Sequence, residues 1–517
     1  MRPLALLLLL CACSGGGGGS SPTPPPPPPP PPPAVAEVVV SGLSPFPAGC
    51  GGATGTVYIN AEVEPYLAVD PLDSNHLIGV WQQDRWSNGS ARGLATGVSF
   101  DGGASWTRVL VPFSECSGGN AQNGGAFQRA TDPWVTYGPG GTAYQSALAT
   151  NGGSFTPGSS NALLVSRTTD GGRTWSNPIT VFQDTNPFFN DKEAITADPN
   201  DARFAYLVWD RLSSTGSGPT YFSRTTDSGA TWEAARAIYN PGALSQTIGN
   251  LVRVLPDGTL VNLFAQLDNT VTQTQGQLMV IRSADRGVTW SAPIRIASLT
   301  PVGARDPATG TAIRDGSIIP QMAVAPGGAL YVVWQDARFG GVRDAIAISR
   351  SGDGGLTWTE PTRVNPNVTV AAFTPQVHVR GDGTIGVTYY DLRSDTSNAA
   401  TLLTDYWLAR SVDGVSWTET RVAGPFDLAT APQAGGAYFL GDYMGLGSSG
   451  TTFLAFYART TGTLDNRTDV FIARIPAGTA ALAAAPAESK RVVAPDADRV
   501  SENLRASISR RLRSGTP

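Results

Sequence analysis

The stretch "TTDGGRTW", residues 168–175, is rewritten along the whole chain. "SFDGGASW" ends at Trp106, "TTDSGATW" at Trp232, "SADRGVTW" at Trp290 and "SGDGGLTW" at Trp358; a copy one residue shorter, "SVDGVSW", ends at Trp417. Apolar runs such as "ALLVSR", "LMVIR" and "AIAISR" precede the copies, and extended segments such as "SNPITV", "SAPIRI" and "TEPTRV" follow them. The phrase is therefore the turn of a hairpin. Its Asp side chain bonds turn amides, its Gly supplies the positive φ of a tight turn, and its Trp returns to pack beneath. Such a unit is a scaffold feature, since no protein needs six copies of one active site.

The Trp residues of the five full copies are spaced 69, 57, 58 and 68 apart, and a period near sixty calls for the rest of the unit. Upstream of each turn a short strand ends at Pro or Gly: "YLAVDP", "WVTYGP", "AITADP", "LVRVLP", "QMAVAP", "QVHVRG" and, after the last turn, "YMGLGS". Each leads into a second strand, such as "HLIGVWQQDR", "FAYLVWDR" or "ALYVVWQDAR". The unit is strand A, strand B, strand C, turn, strand D, and its radial repetition is an all-β propeller of four-stranded blades. Seven A–B–C sets meet only six C–D turns. The orphan strand "AEVVVSG", residues 36–42, is expected to complete the last blade and close the ring, removing two open edges.

The repeated phrase, Ser/Thr-x-Asp-x-Gly-x-Thr/Ser-Trp, resembles the Asp-box or BNR repeat of sialidases and related propellers. Sialidases have six blades; the seven sets counted here, with six as the alternative, extend the resemblance over residues 36–477. It implies an exo-glycosidase acting on sialic-acid or related acidic glycans.

The amino terminus, "MRPLALLLLLCACS", has a basic start, a short apolar stretch and small residues before Cys13, which is the pattern of a secretory signal. "LCAC" resembles a bacterial lipobox, which implies cleavage after residue 12 and a lipid on Cys13. Residues 13–35 read as a Gly/Ser/Pro-rich linker whose Pro24–Pro33 run is expected to form a semi-rigid polyproline rod roughly 30 Å long. The body is expected outside the cytoplasm, a monomer anchored to the bacterial membrane or cell surface through that lipid. In an oxidising compartment the two remaining cysteines, Cys50 and Cys116, are expected to pair. Residues 478–517 read as a flexible tail in which Val500, Leu504, Ile508 and Leu512 mark a short basic helix candidate; it docks on the propeller, touches an anionic membrane or stays frayed, and the last is the reading preferred.

With 15% charged residues and a net charge of −5, nothing marks a nucleic-acid surface. Two histidines, His76 and His378, argue against a multi-His metal centre or a His-dependent triad; no cofactor or metal is expected. In a propeller the B–C and D–A loops share one face, opposite the C–D turns. Strand B ends carry Asp84-Arg85, Asp210-Arg211, Asp336 and Arg338, Asp391 and Arg393, and Arg459. These pairs are either clamps between neighbouring loops or a mouth for an anionic glycan, with Arg85, Arg211, Arg338 and Arg393 as ligands of its carboxylate. Strand A starts add Glu64, Asp132, Lys192, Glu193 and Asp442, with Tyr443 beside it. By analogy with the Tyr–Glu nucleophile pair of sialidases, Tyr443 and Glu64 are the candidate catalytic pair. The sialidase arginine motif Phe/Tyr-Arg-Ile-Pro is missing from the first blade, and no Asp or Glu stands between Arg85 and Ser99. A non-catalytic glycan- or protein-binding propeller, or another polysaccharide-active enzyme, is the alternative.

Overall fold

Glycine-punctuated strands of seven to ten residues dominate the computed structural model, which describes residues 35–52, 54–270, 272–483 and 492–513. The signal, Cys13 and nearly all of the linker lie outside these residues. What is described belongs to one compact unit, Ala34–Pro517.

The strands pair antiparallel in sets of four, each a meander. In the first set Val63–Val69 pairs with Leu77–Arg85, then Ala91–Ser99, then Thr107–Val109. The following sets open on Arg129–Tyr137, Phe188–Ala197, Ser245–Val254, Gln321–Val324, Ala372–Val379 and Gly445–Ser449. Each opening strand packs against the next, and the last packs back on the first. All seven line one central channel of about 380 Å³. The sets therefore stand around an axis as the sheets of a β-propeller. Leu77–Arg85 is buried along its whole length because neighbouring sets cover both its faces. Trp81, Trp209 and Trp334 hold equivalent, fully buried places on second strands.

The last set takes its fourth strand from the amino terminus: Glu37, Val38 and Val39 pair with Ala473, Ile472 and Phe471. Arg459 clamps the join, its guanidinium 2.9 Å from the Glu37 carboxylate. Just beyond this strand Cys50 is bonded to Cys116, as expected, with Cα atoms 5.3 Å apart.

The five full copies of the repeated turn share one Asp-centred geometry, and the short copy closes a residue earlier, its Gly414 amide donating to Ser411. In the copy ending at Trp175, the Thr174 amide and hydroxyl donate to Asp170 at 3.0 and 2.6 Å, and Thr168 donates to it at 2.8 Å. Trp175 Nε1 donates to the Gly172 carbonyl at 3.1 Å. Gly171 and Gly172 hold φ of 76° and 85°, the left-handed pair that Gly adopts without strain. These bonds to the ionised form hold the Asp170 carboxyl down at about 2. The turns also latch neighbouring sheets: Arg224 of the third sheet donates to the Arg286 carbonyl in the fourth sheet's turn at 2.6 Å, and Arg167 of the second reaches the Ser228 carbonyl in the third. Their role is structural.

The tail corrects the sequence reading. Helix Ala497–Arg513 is docked, not frayed: Val500, Leu504 and Ile508 are buried in the same apolar core as Val302, Ile318 and Ile319. The Thr274 amide donates to Ser501 Oγ at 2.9 Å, and Asn503 donates to the Pro301 carbonyl at 3.3 Å. The spacing that marked an amphipathic helix is the reason: its apolar stripe has a complementary floor between the fourth and fifth sheets.

Candidate functional site

Five of the seven opening strands break register near their start. The pairing slips between Val63 and Tyr66, Thr131 and Trp134, Asp191 and Ala194, Ile248 and Leu251, and Phe373 and Gln376. Each slip is a bulge, and its first residue is left-handed: Glu64 at 53°, Asp132 at 53°, Lys192 at 50°, Gly249 at 67° and Thr374 at 50°. A non-Gly residue held there costs about 1–3 kcal/mol, and such strain concentrates at functional sites. Here it gathers Glu64, Asp132 and Lys192 from three successive sheets, at the ends remote from the repeated turns.

Lys192 Nζ lies 3.1 Å from Glu64, 2.8 Å from Asp132 and 2.9 Å from Asp442, all four side chains nearly sealed from solvent. The ammonium stands where a cation would otherwise gather three carboxylates. The carboxyls do not share its charge equally. Burial pushes Glu64 up to about 8 despite Lys192, with Asp132 and Asp442 adding repulsion. Burial also opposes ionisation of Asp132, but the Lys192 charge and hydrogen bond overcome it and hold that carboxyl at about 2. Asp442 is held well below the usual range, Arg314 and Lys192 outweighing its burial. Beside them Glu193, 2% exposed, has neither carboxyl oxygen hydrogen-bonded and is driven up by burial.

Three arginines converge on a small pocket walled by Asp132 and Lys192, with the exposed Gly152 at its rim. Arg314 forks onto Asp442 at 3.1 and 2.6 Å. It is placed by a two-residue strand, Ile313–Arg314, paired in parallel with Ala437–Phe439. Arg85 and Arg314 both lie over the Phe439 ring, 4.9 and 4.6 Å from its centre. Arg129 stacks on Trp86 at 4.6 Å and donates to Asn88 and to the Gly89 and Thr54 carbonyls. Among the described residues neither Arg85 nor Arg129 makes an ion pair; Arg85 Nε and Arg314 Nη1 are buried with no hydrogen-bond partner. Burial and the Arg314 charge bring Arg85 down to about 10, and burial with the Arg85 charge does the same to Arg129. The arrangement, Arg85 repelled by Arg314 and Arg129 by Arg85, with N–H groups of Arg85 and Arg314 to spare, has the chemistry to receive an anion.

Of the residues singled out from sequence, Arg85, Glu64 and Asp442 belong to this cluster. Arg211, Arg338 and Arg393 do not. Arg211 forks onto Asp184 at 2.7 and 2.8 Å, Arg338 bonds Asp336 at 2.7 Å and the Ser298 carbonyl, and Arg393 is held by Asp391 and Glu419. They are clamps, each taken by carboxylates of its own or a neighbouring strand. Arg85 escapes that fate because Arg92 and Ser44 occupy its neighbour Asp84, at 3.1 and 2.6 Å. The Tyr443–Glu64 pair does not form either. Tyr443 is 2% exposed and donates to the Pro133 carbonyl at 3.1 Å, while Glu64 is taken by Gln82, Lys192 and the Asp442 amide. Burial and the surrounding carboxylates, Glu64 first, hold the Tyr443 hydroxyl well above its ordinary value, so it is kept neutral. The sequence reading named neither Arg129 nor Arg314 as a ligand.

No protein-family model and no curated protein matches the chain. Among solved structures it is similar to the Hadza microbial sialidase Hz136, at 20% identity over 81% of this chain and 66% of that one, with a TM-score of 0.41. It is also similar to a Penicillium chrysogenum alpha-L-arabinanase complexed with arabinobiose, at 13% identity over 85% and 98%, TM-score 0.44. Trypanosoma rangeli sialidase in complex with the inhibitor DANA aligns at 13% identity over 70% and 58%, TM-score 0.43.

Proposed function

We propose that the chain is a seven-bladed, surface-anchored propeller that binds a carboxylate-bearing sugar and hydrolyses its glycosidic bond from the chain end. The observation that carries this reading is the convergence of Arg85, Arg129 and Arg314 on one pocket, with buried N–H groups unpartnered. Guanidinium N–H pairs match a carboxylate in geometry and charge. Asp132, ionised on the pocket wall, faces the bound sugar and answers the positive charge that develops at its anomeric carbon. Glu64, protonated at neutral pH, lies on the same ammonium behind it and keeps a proton within the cluster. Sialic acid is the sugar proposed, with uronic acids as its chemical relatives. Anchoring through a lipid on Cys13 and a monomeric state complete the proposal.

Turnover of a fluorogenic sialoside tests it. The wild type hydrolyses the sialoside; Asp132→Asn loses turnover and retains binding, and Arg314→Ala loses both. The burial of Glu64 favours the second reading, a glycan-binding propeller without catalysis. Sugar binding abolished by Arg314→Ala, with no turnover in the wild type, establishes that reading instead.

A further inference from the structure

Beside the central pocket, on the same face, a groove of about 840 Å³ runs between the loops of the fifth and sixth sheets and the start of the carboxy-terminal helix. Its cations come from three separate segments: Arg305 from the loop leading to the fifth sheet, Arg343 from that sheet's B–C loop, and Arg499 from the helix. All three are exposed, and among the described residues none makes an ion pair. The acids lining the same groove are already engaged. Asp306 accepts from the Ala308 and Thr309 amides and the Thr309 hydroxyl at 2.8, 3.2 and 2.6 Å, and Asp395 accepts from the Leu403 amide at 3.0 Å. The floor is apolar, built from Val370, Ala371 and Leu392, with Val342 exposed at the edge.

The groove connects to the central pocket through the helix. Arg510 lines a cleft together with Lys192, Arg314 and Asp442. Burial acts most on its guanidinium, followed by the attraction of Asp315 and then the repulsion of Arg314 and Arg305. From Arg499 to Arg510 the helix rises ~16 Å at 1.5 Å per residue. Guanidiniums thus stand at intervals from the groove, past Arg510 with Asp315 and Asp442 in its cleft, to the three arginines of the pocket. A single terminal sugar needs no such series. A polymer carrying one carboxylate on every sugar does, its charges meeting successive guanidiniums and its apolar ring faces meeting the floor.

We infer that the Arg305–Arg343–Arg499 groove is a second binding site, which holds the body of an extended acidic polysaccharide while its terminal sugar occupies the central pocket. This rests on the proposed reading of that pocket and extends it: the substrate is a polyanionic glycan chain. Nucleic acid, the other common linear polyanion, has no aromatic side chain in the groove on which to stack a base.

Binding of free N-acetylneuraminate and of a short α2,8-linked oligosialate, titrated on wild type and variants, tests the inference. The triple variant Arg305→Ala/Arg343→Ala/Arg499→Ala keeps the wild-type Tm, since its side chains are exposed, and binds the monomer as the wild type does. It binds the oligomer roughly tenfold more weakly or worse, a loss of about 1.4 kcal/mol or more. Oligomer binding unchanged in the triple variant overturns the groove, as does a single-stranded oligonucleotide that competes as well as the oligosialate. Failure of the pocket reading is a different result, monomer binding that survives Arg85→Ala.

Discussion

Glu64 and Asp132 lie against the same ammonium, yet one carboxyl is held protonated to about pH 8 and the other ionised to about pH 2. The difference is in what else reaches them: Asp132 has the shorter bond to Lys192, while Glu64 sits deeper with two like charges beside it. Linkage turns this into a stability statement. A carboxyl raised from 4.5 to about 8 in the folded state contributes stability that is complete below 4.5 and lost as pH rises through 8. Asp132 has the opposite sign, its contribution present above 3.8 and lost as pH falls through 2. Asp344, raised to about 7, and Glu419, raised to about 8, add to the alkaline side. The wild-type Tm therefore falls between pH 5 and pH 9, and Glu64→Gln falls less over the same interval; scanning calorimetry at the two values checks it, and equal falls refute it. At this scale the sequence marked Glu64, Arg85 and Asp442 by their places at strand ends. It paired Tyr443 with Glu64 from the starts of neighbouring opening strands, whereas the hydroxyl donates to the Pro133 carbonyl.

Elements explain what single residues do not. The repeated turn was legible because the bonds that shape it are local, within Thr168 to Trp175 and its relatives. The bulge was not, because a left-handed residue such as Lys192 or Asp132 is fixed by the partner strand and no residue type announces it. Arg314 was hidden for a further reason: its two-residue strand pairs with Ala437–Phe439, more than a hundred positions away. The helix at Ala497–Arg513 was legible as a helix and illegible as a docked one, since its floor, Val302 and Ile318, belongs to loops outside the repeat. Leu504, fully buried, decides the matter. Leu504→Ala should weaken docking by about 2–5 kcal/mol. Hydrogen exchange measures it directly: amides of residues 500–510 lose protection in the variant while the sheets keep theirs. A wild-type helix without protection would restore the frayed reading.

At the scale of the molecule, radial repetition sets a shared axis, and whatever stands nearest that axis becomes the site. Seven opening strands meet there, so the innermost residues of several sheets converge although none is close in sequence to the others. The outer residues are spent on the scaffold: Arg211 and Arg338 tie neighbouring sheets, and Arg393 ties two strands of one sheet. The amino-terminal strand Glu37–Val39 completes the last sheet by pairing with residues more than four hundred positions later. That join was readable in advance only because an unmatched strand and an unmatched sheet stood at the two ends of the pattern. The central claim concerns the convergence itself: Arg85, Arg129 and Arg314 are assembled to receive a carboxylate. A crystal structure of the protein soaked with N-acetylneuraminate tests this most directly. The account predicts the sugar carboxylate within hydrogen-bonding distance of Arg85 and Arg314, with the ring against Asp132; a sugar bound in the channel on the opposite face, or with its carboxylate turned away from both guanidiniums, contradicts it.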